Sequence, residues 1–90
     1  MFIHIGENMI VRSRDVVAIL DRQLLDSSSI VNEFLKKRSH QLIELANGET
    51  KSIVITNDHI YYSPLSSNTL KKRAYYISER ELPIEEESPL

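Results

Sequence analysis

The side chains best suited to chemistry in this chain are cations, and the chemistry they suit is the holding of anions. Arg12 and Arg14 are two residues apart, so in an extended strand they project from one face, and such a pair can grip a phosphate backbone. Lys71, Lys72 and Arg73 form a second cluster, and Lys51 stands alone at the start of an extended run. A third triplet, Lys36, Lys37 and Arg38, closes a segment with helical spacing. Cations in a last helical turn compensate the negative end of the helix dipole, and that role is preferred for this triplet over contact with nucleic acid.

Other chemistries find little support. His4, His40 and His59 share no ligand spacing and no carboxylate completes a metal site, so they read as ordinary strand or loop histidines and no metal or cofactor is expected. No GxSxG elbow surrounds a serine, and the two glycines cannot build a phosphate-cradling loop. The densest acidic run is Glu85 to Glu87, in a tail where catalytic carboxylates could not be placed precisely. An enzyme, with a small-molecule substrate, is therefore not expected. Tyr61 and Tyr62 point to opposite faces of their strand, so at most one is in the core. The other suits a subunit interface, where tyrosine is enriched, ahead of stacking on a nucleobase.

The elements that must position these groups are legible as short strands and two helices. Phe2 to Ile5, a Gly6-Glu7-Asn8 turn, Met9 to Val11 and Val16 to Leu20 read as strands, with Gly6 the residue that needs positive φ. Both faces of Val16 to Leu20 are apolar: either a helix covers each side or one side is a subunit interface. Asp26 and Ser27 to Ser29 mark a helix start, with Ile30, Val31, Phe34 and Leu35 as one apolar stripe and an end near Ser39. Leu42 to Leu45 and Lys51 to Thr56 flank Asn47-Gly48, a strong signal for a hairpin between them. Thr56 leads through a polar turn to a strand at Ile60 to Tyr62, and Pro64 stops it. Ser66 or Ser67 caps a second helix with Leu70, Ala74 and Ile77 at helical spacing, which Tyr75 and Tyr76 should help to pack. The fold class expected is α+β: a small, mainly antiparallel sheet of about six short strands with two helices.

Bulk properties bound the rest. Ninety residues make one domain with a modest core, which self-association would help. The chain has no Cys, no apolar run near ~18 residues and no basic region followed by a long apolar stretch. A cytoplasmic protein without disulfide, membrane span or signal peptide is expected. The formal charge of -2 is unevenly spread. Residues 1–78 carry ten Lys or Arg against eight Asp or Glu, a balance of +2; residues 79–90 carry Arg80 against five glutamates, a balance of -4. The expected organisation is a folded domain over 1–78 and a disordered acidic tail over 79–90, because the tail has few apolar residues to offset the entropy of ordering it.

Two stretches carry a resemblance. The opening FIHIGENMIVRSRDVVAIL and the later IYYSPLSS followed by TLKKRA, together with EFLKK between them, resemble the bacterial extracellular-matrix regulators of the RemA/RemB family over roughly residues 1 to 76. The resemblance implies an oligomeric DNA-binding regulator of biofilm matrix genes that assembles as a ring-like homo-oligomer. It also implies a contact to double-stranded DNA from the arginine before the third strand, matched here by Arg14, with further arginines in the loop after the fourth strand. That loop reads Asn47-Gly48-Glu49-Thr50 here, with only Lys51 basic. The expected DNA-binding residues are thus Arg14, Arg12, Lys51, Lys71, Lys72 and Arg73. The alternative is a structural or interaction paralogue that does not bind DNA and acts through a partner regulator; Glu49 favours it, since a carboxylate facing phosphate opposes binding.

Overall fold

The computed structural model describes the backbone of residues 1–81 and the side chains of residues 1–74. Its described residues form an α+β fold of two small sheets and three helices. Strands β1 (Phe2–Gly6) and β2 (Met9–Arg12) make an antiparallel hairpin. Gly6 has φ +135 and Glu7 φ +50 at its turn, and a Cβ on Gly6 would come 2.7 Å from the Pro64 ring, so both the backbone angle and the close approach require glycine. Alternation places Ile3, Ile5 and Val11 inward, while the cross-strand pairs Phe2–Arg12 and His4–Ile10 face outward.

The larger sheet contains β3 (Val16–Asp21), β4 (Leu42–Glu44), β5 (Ser52–Thr56) and β6 (Ile60–Ser63), in the order β3-β5-β6-β4. β5 is buried at every position and takes the centre, antiparallel to both neighbours. β4 lies parallel to β6. The hairpin expected across Asn47-Gly48 does not form, since β6 separates β4 from β5. The physical reason is burial: Leu45 and Ala46 leave β4 into the core, where Leu45 packs with Ile3, Ile5 and Val54. That apolar contact outweighs the local turn preference, and Gly48 (φ +154) serves an exposed loop that carries the chain past the end of β6. The single, mainly antiparallel six-stranded sheet expected from the sequence is therefore two sheets with one parallel pair.

Each face of the larger sheet is covered from within the chain. The hairpin and α3 (Ser67–Glu81) cover the side of Val54 and Tyr61. The short α1 (Leu24–Ser27), not anticipated from the sequence, and α2 (Ser29–Lys37) cover the side of Ile53, Ile55 and Ile60. The two apolar faces of β3 are explained in this way: Val16 and Ile19 join the first cluster, Ala18 and Leu20 the second. A register shift between Val16 and Ala18 leaves Val17 outside, 65% exposed.

The caps follow the sequence closely. Ser28 accepts the Val31 amide (3.1 Å) at the start of α2, and Ser66 accepts the Thr69 amide (3.1 Å) at the start of α3. Ser67 has a different task, donating its hydroxyl to Asp21 Oδ2 at 3.2 Å. Leu70 is fully buried and fixes α3 to the core. The packing expected of Tyr75, Tyr76 and Ile77 lies outside the described side chains, and the tail expected over 79–90 lies outside the described residues from 82 onward, α3 itself running to Glu81.

Candidate nucleic-acid interface

Arg14 does not continue the β2 strand with Arg12. It sits in a 3₁₀ turn, Ser13–Asp15, so the shared strand face expected of the two arginines is lost. Their environments differ accordingly. Arg12 Nε donates to Asp15 Oδ2 at 3.0 Å, an ion pair that partly neutralises it. Arg14 is exposed and has no hydrogen-bond or ion-pair partner among the described residues. Its backbone is nevertheless pinned on both sides: the Ser13 amide donates to the Met1 carbonyl (2.9 Å), and the Asp15 carbonyl accepts from the Asn57 amide (3.1 Å). A free guanidinium on a fixed turn is a donor fork that an incoming phosphate meets without first displacing a counter-ion.

Helix α3 carries three further cations in its first turns, Lys71 and Lys72 roughly 6–8 Å along it from Ser67. It starts beside Asp21, the last residue of β3, packs along β3, β1 and the Ser13–Asp15 turn, and so runs opposite to β3 towards Arg14. Arg73 Nη1 donates to the His4 carbonyl at 2.8 Å, which ties this part of the helix to β1. Lys71 and Lys72 are exposed, with no ion-pair partner among the described residues.

Lys51 is at the other end. Val16 pairs with Thr56 and Asp21 with Ser52, so the length of β3, roughly 17 Å at the usual rise per residue, separates Arg14 from Lys51. The Lys51 backbone is used on both sides, its amide donating to the Ser63 carbonyl (2.8 Å) and its carbonyl accepting from the Arg22 amide (3.2 Å). Its exposed side chain belongs to an end rich in carboxylates. A shallow groove of about 450 Å³ there is lined by Arg22, Glu44, Glu49 and Tyr62 among others, and Arg22 is within 3.8 Å of Asp26. The expected DNA-binding residues are thus not gathered in one place: Arg12 and Arg14 stand at the Ser13–Asp15 turn, Lys71, Lys72 and Arg73 along the first turns of α3, and Lys51 at the acidic end.

The remaining polar groups have structural partners. Arg38 caps α2, lies 5.3 Å over the Phe34 ring and donates to Gln41 Oε1. The His4 ring Nε2 is 2.7 Å from the Glu7 carbonyl, and the His59 ring lies tilted, 5.9 Å from that of Tyr61. No cluster of His, Asp or Glu arranged for a metal occurs among the described residues. Tyr61 is buried and Tyr62 half-buried, the division expected of neighbouring strand positions; burial first, and the Asp58 carboxylate second, push the Tyr61 phenol above its ordinary pKa. The outward turn of several large apolar side chains, Phe2, Ile10, Val17 and Ile30 above all, was not legible in the sequence, where each fits an apolar pattern equally well.

No described helix is long and apolar enough to cross a membrane. A family model for extracellular matrix regulatory protein A-like chains, RemA-like, matches residues 2–74. Extracellular matrix regulatory protein B of Bacillus subtilis (strain 168) is 52% identical over 79 residues, which cover 88% of this chain and 96% of that protein.

Proposed function

The chain belongs to the RemA-like family of extracellular matrix regulatory proteins, and we propose that it is a cytoplasmic, oligomeric regulator of biofilm matrix genes that binds the backbone of double-stranded DNA. The observation that carries the reading is Arg14: an exposed guanidinium on a pinned turn, with no ion-pair partner among the described residues. A folded body of +2 is a weak electrostatic footprint, so single contacts are weak and repetition supplies the affinity. Once one subunit is bound, its neighbours meet the same duplex at high effective concentration. Contacts of this kind go to phosphates, and sequence preference then comes from how readily a site bends to follow the assembly.

The test is a salt titration of duplex binding by the purified oligomer. Wild type is expected to bind with a log K that falls linearly with log salt, and Arg14→Ala to weaken binding to all sequences alike. The slope should become shallower by about 0.9 for each phosphate that the variant no longer neutralises. An intact Arg14→Ala oligomer with unchanged affinity and slope would overturn the reading. A second reading, an interaction paralogue that acts through a partner regulator, is favoured by the carboxylates of Glu44 and Glu49 at the Lys51 end; it expects little duplex affinity even at low salt.

A further inference from the structure

The excess negative charge of the chain is concentrated in Glu85, Glu86 and Glu87, which lie beyond the family match over residues 2–74 and beyond the described residues. Where this run can reach is set by α3. The helix starts at Ser67 beside Asp21 and packs along β3 to the Ser13–Asp15 turn. Its 15 residues span about 22 Å, and the strand path from Asp21 back to Asp15 about 20 Å, so Glu81 comes level with the turn that holds Arg14. Glu85 and Glu87 follow after at most about 14 and 20 Å of extended chain. Lys71 and Lys72 are about 14 Å back along the helix. At the turn, Arg12 is engaged by Asp15, and Arg73 by the His4 carbonyl. Arg14 is exposed and has no partner among the described residues. The other nearby carboxylate, Asp58, is exposed and opposes any incoming anion.

We infer that the Glu85–Glu87 run of each chain binds that chain's own Arg14 in competition with DNA phosphate, an autoinhibitory contact that duplex must displace. The inference rests on the DNA reading of Arg14 and adds its regulation. The counter-ion that Arg14 lacks among the described residues is supplied from beyond them. Consecutive glutamates in extended chain carry one charge per ~3.3–3.6 Å, close to the ~3.4 Å per charge of a single strand of the duplex. The run therefore offers Arg14 the same ligand chemistry as DNA, an anion taken by a guanidinium fork through charge-assisted hydrogen bonds. Asp58 opposes run and duplex alike and does not discriminate between them. One exposed ion pair is worth little, but a short linker holds the run at an effective concentration of order millimolar. The competition is uneven, because a duplex engages several subunits at once and each run a single Arg14. Screening weakens the run's hold as salt rises, so inhibition is strongest at low salt.

Glu85→Gln, Glu86→Gln and Glu87→Gln together neutralise the run without shortening the chain, and a thermal melt checks that the triple variant folds. At low salt the triple variant is expected to bind duplex about three- to tenfold more tightly than wild type. The gain should fade as salt rises and vanish when both chains also carry Arg14→Ala. A second readout needs no DNA. The chain has no cysteine, so Ser13→Cys with Ser88→Cys leaves one disulfide possible within a chain, beside Arg14 at one side and Glu87 at the other. Under mild oxidation it should form within single chains, and several-fold more slowly in the triple-glutamine background, where the reach is the same. Equal rates in the two backgrounds, or a gain in duplex binding that survives Arg14→Ala, would overturn the contact and leave DNA binding by the protein standing. A disulfide found only between chains would overturn the same-chain occupant in favour of a neighbour's run. A charge-dependent disulfide in chains that bind no duplex, with or without the glutamates, would overturn the competition together with the proposed function.

Discussion

The two ends of the β3–β5 ladder carry the same kinds of residue and differ in what surrounds them. At one, Arg14 leaves a pinned 3₁₀ turn with no ion-pair partner among the described residues, beside Arg12, which is paired with Asp15. At the other, Lys51 and Arg22 are set among Glu44, Glu49 and Asp26. A count of charges treats Arg14 and Lys51 alike, but at the first end Arg12 already engages Asp15 and Asp58 is the other nearby carboxylate, whereas Lys51 is set among Glu44, Glu49 and Asp26. In a region of high dielectric, local partners decide whether an exposed cation is available, because screening limits the reach of more distant charge to about one Debye length, roughly 8 Å at physiological salt.

The largest effect is expected from a residue that carries no charge. Leu70 is fully buried and holds α3 against the core, so Leu70→Ala should cost about 2–5 kcal/mol and loosen the helix that carries Lys71, Lys72 and Arg73. Urea denaturation measures it, and a cost well under 1 kcal/mol would mean that α3 is not anchored there. At the acidic end, Gly6 and Gly48 both have positive φ, but only Gly6 would place a Cβ against Pro64, at 2.7 Å; Gly48 has open space. Gly6→Ala should therefore cost backbone strain of order 1–3 kcal/mol plus the clash, and Gly48→Ala the strain alone. Equal melting temperatures for the two variants would refute the close approach.

A smaller effect sharpens the contrast in DNA binding. Lys51→Ala should leave the salt slope nearly unchanged where Arg14→Ala lowers it, and Glu49→Arg should tighten binding by converting the acidic end. A slope reduced equally by Lys51→Ala and Arg14→Ala would erase the distinction between the ends. The smallest effect concerns Tyr61. Its phenol has a raised pKa in the folded chain, through burial and then Asp58, so the folded state holds its proton more tightly than the unfolded one. Stability from this source is complete below the unfolded value near 10 and declines as pH rises through the folded value. Tyr61→Phe should flatten that alkaline loss in a pH series of thermal melts; an unchanged profile would place the loss elsewhere.

How much was legible follows the range of the interaction involved. The β-branched alternation of β5 and β6, the Ser28 and Ser66 caps and the glycine of the β1–β2 turn depend on neighbours a few residues away, and each stands where the pattern put it. The Asn47-Gly48 hairpin failed although its local signal was strong, because burial of Leu45 beside Ile3 and Ile5, distant in sequence, has the larger free energy. Arg12 and Arg14 looked like strand neighbours, yet the chain must turn between the small sheet and the large one, and that turn falls on Ser13–Asp15.

The amino-acid order by itself determined the α+β class, the strand segments and the two longer helices, the family and the identity of the candidate cations, since these follow from local propensity, periodicity and direct similarity of residues. Only the tertiary structure decided that β4 runs parallel to β6, that both apolar faces of β3 are covered within one chain, and that Arg14 and Lys51 stand at opposite ends of a ladder. The reason is physical. Strand order and the placement of charges are set by which apolar side chains, far apart in the chain, exclude water together, and no window of neighbouring residues contains that choice.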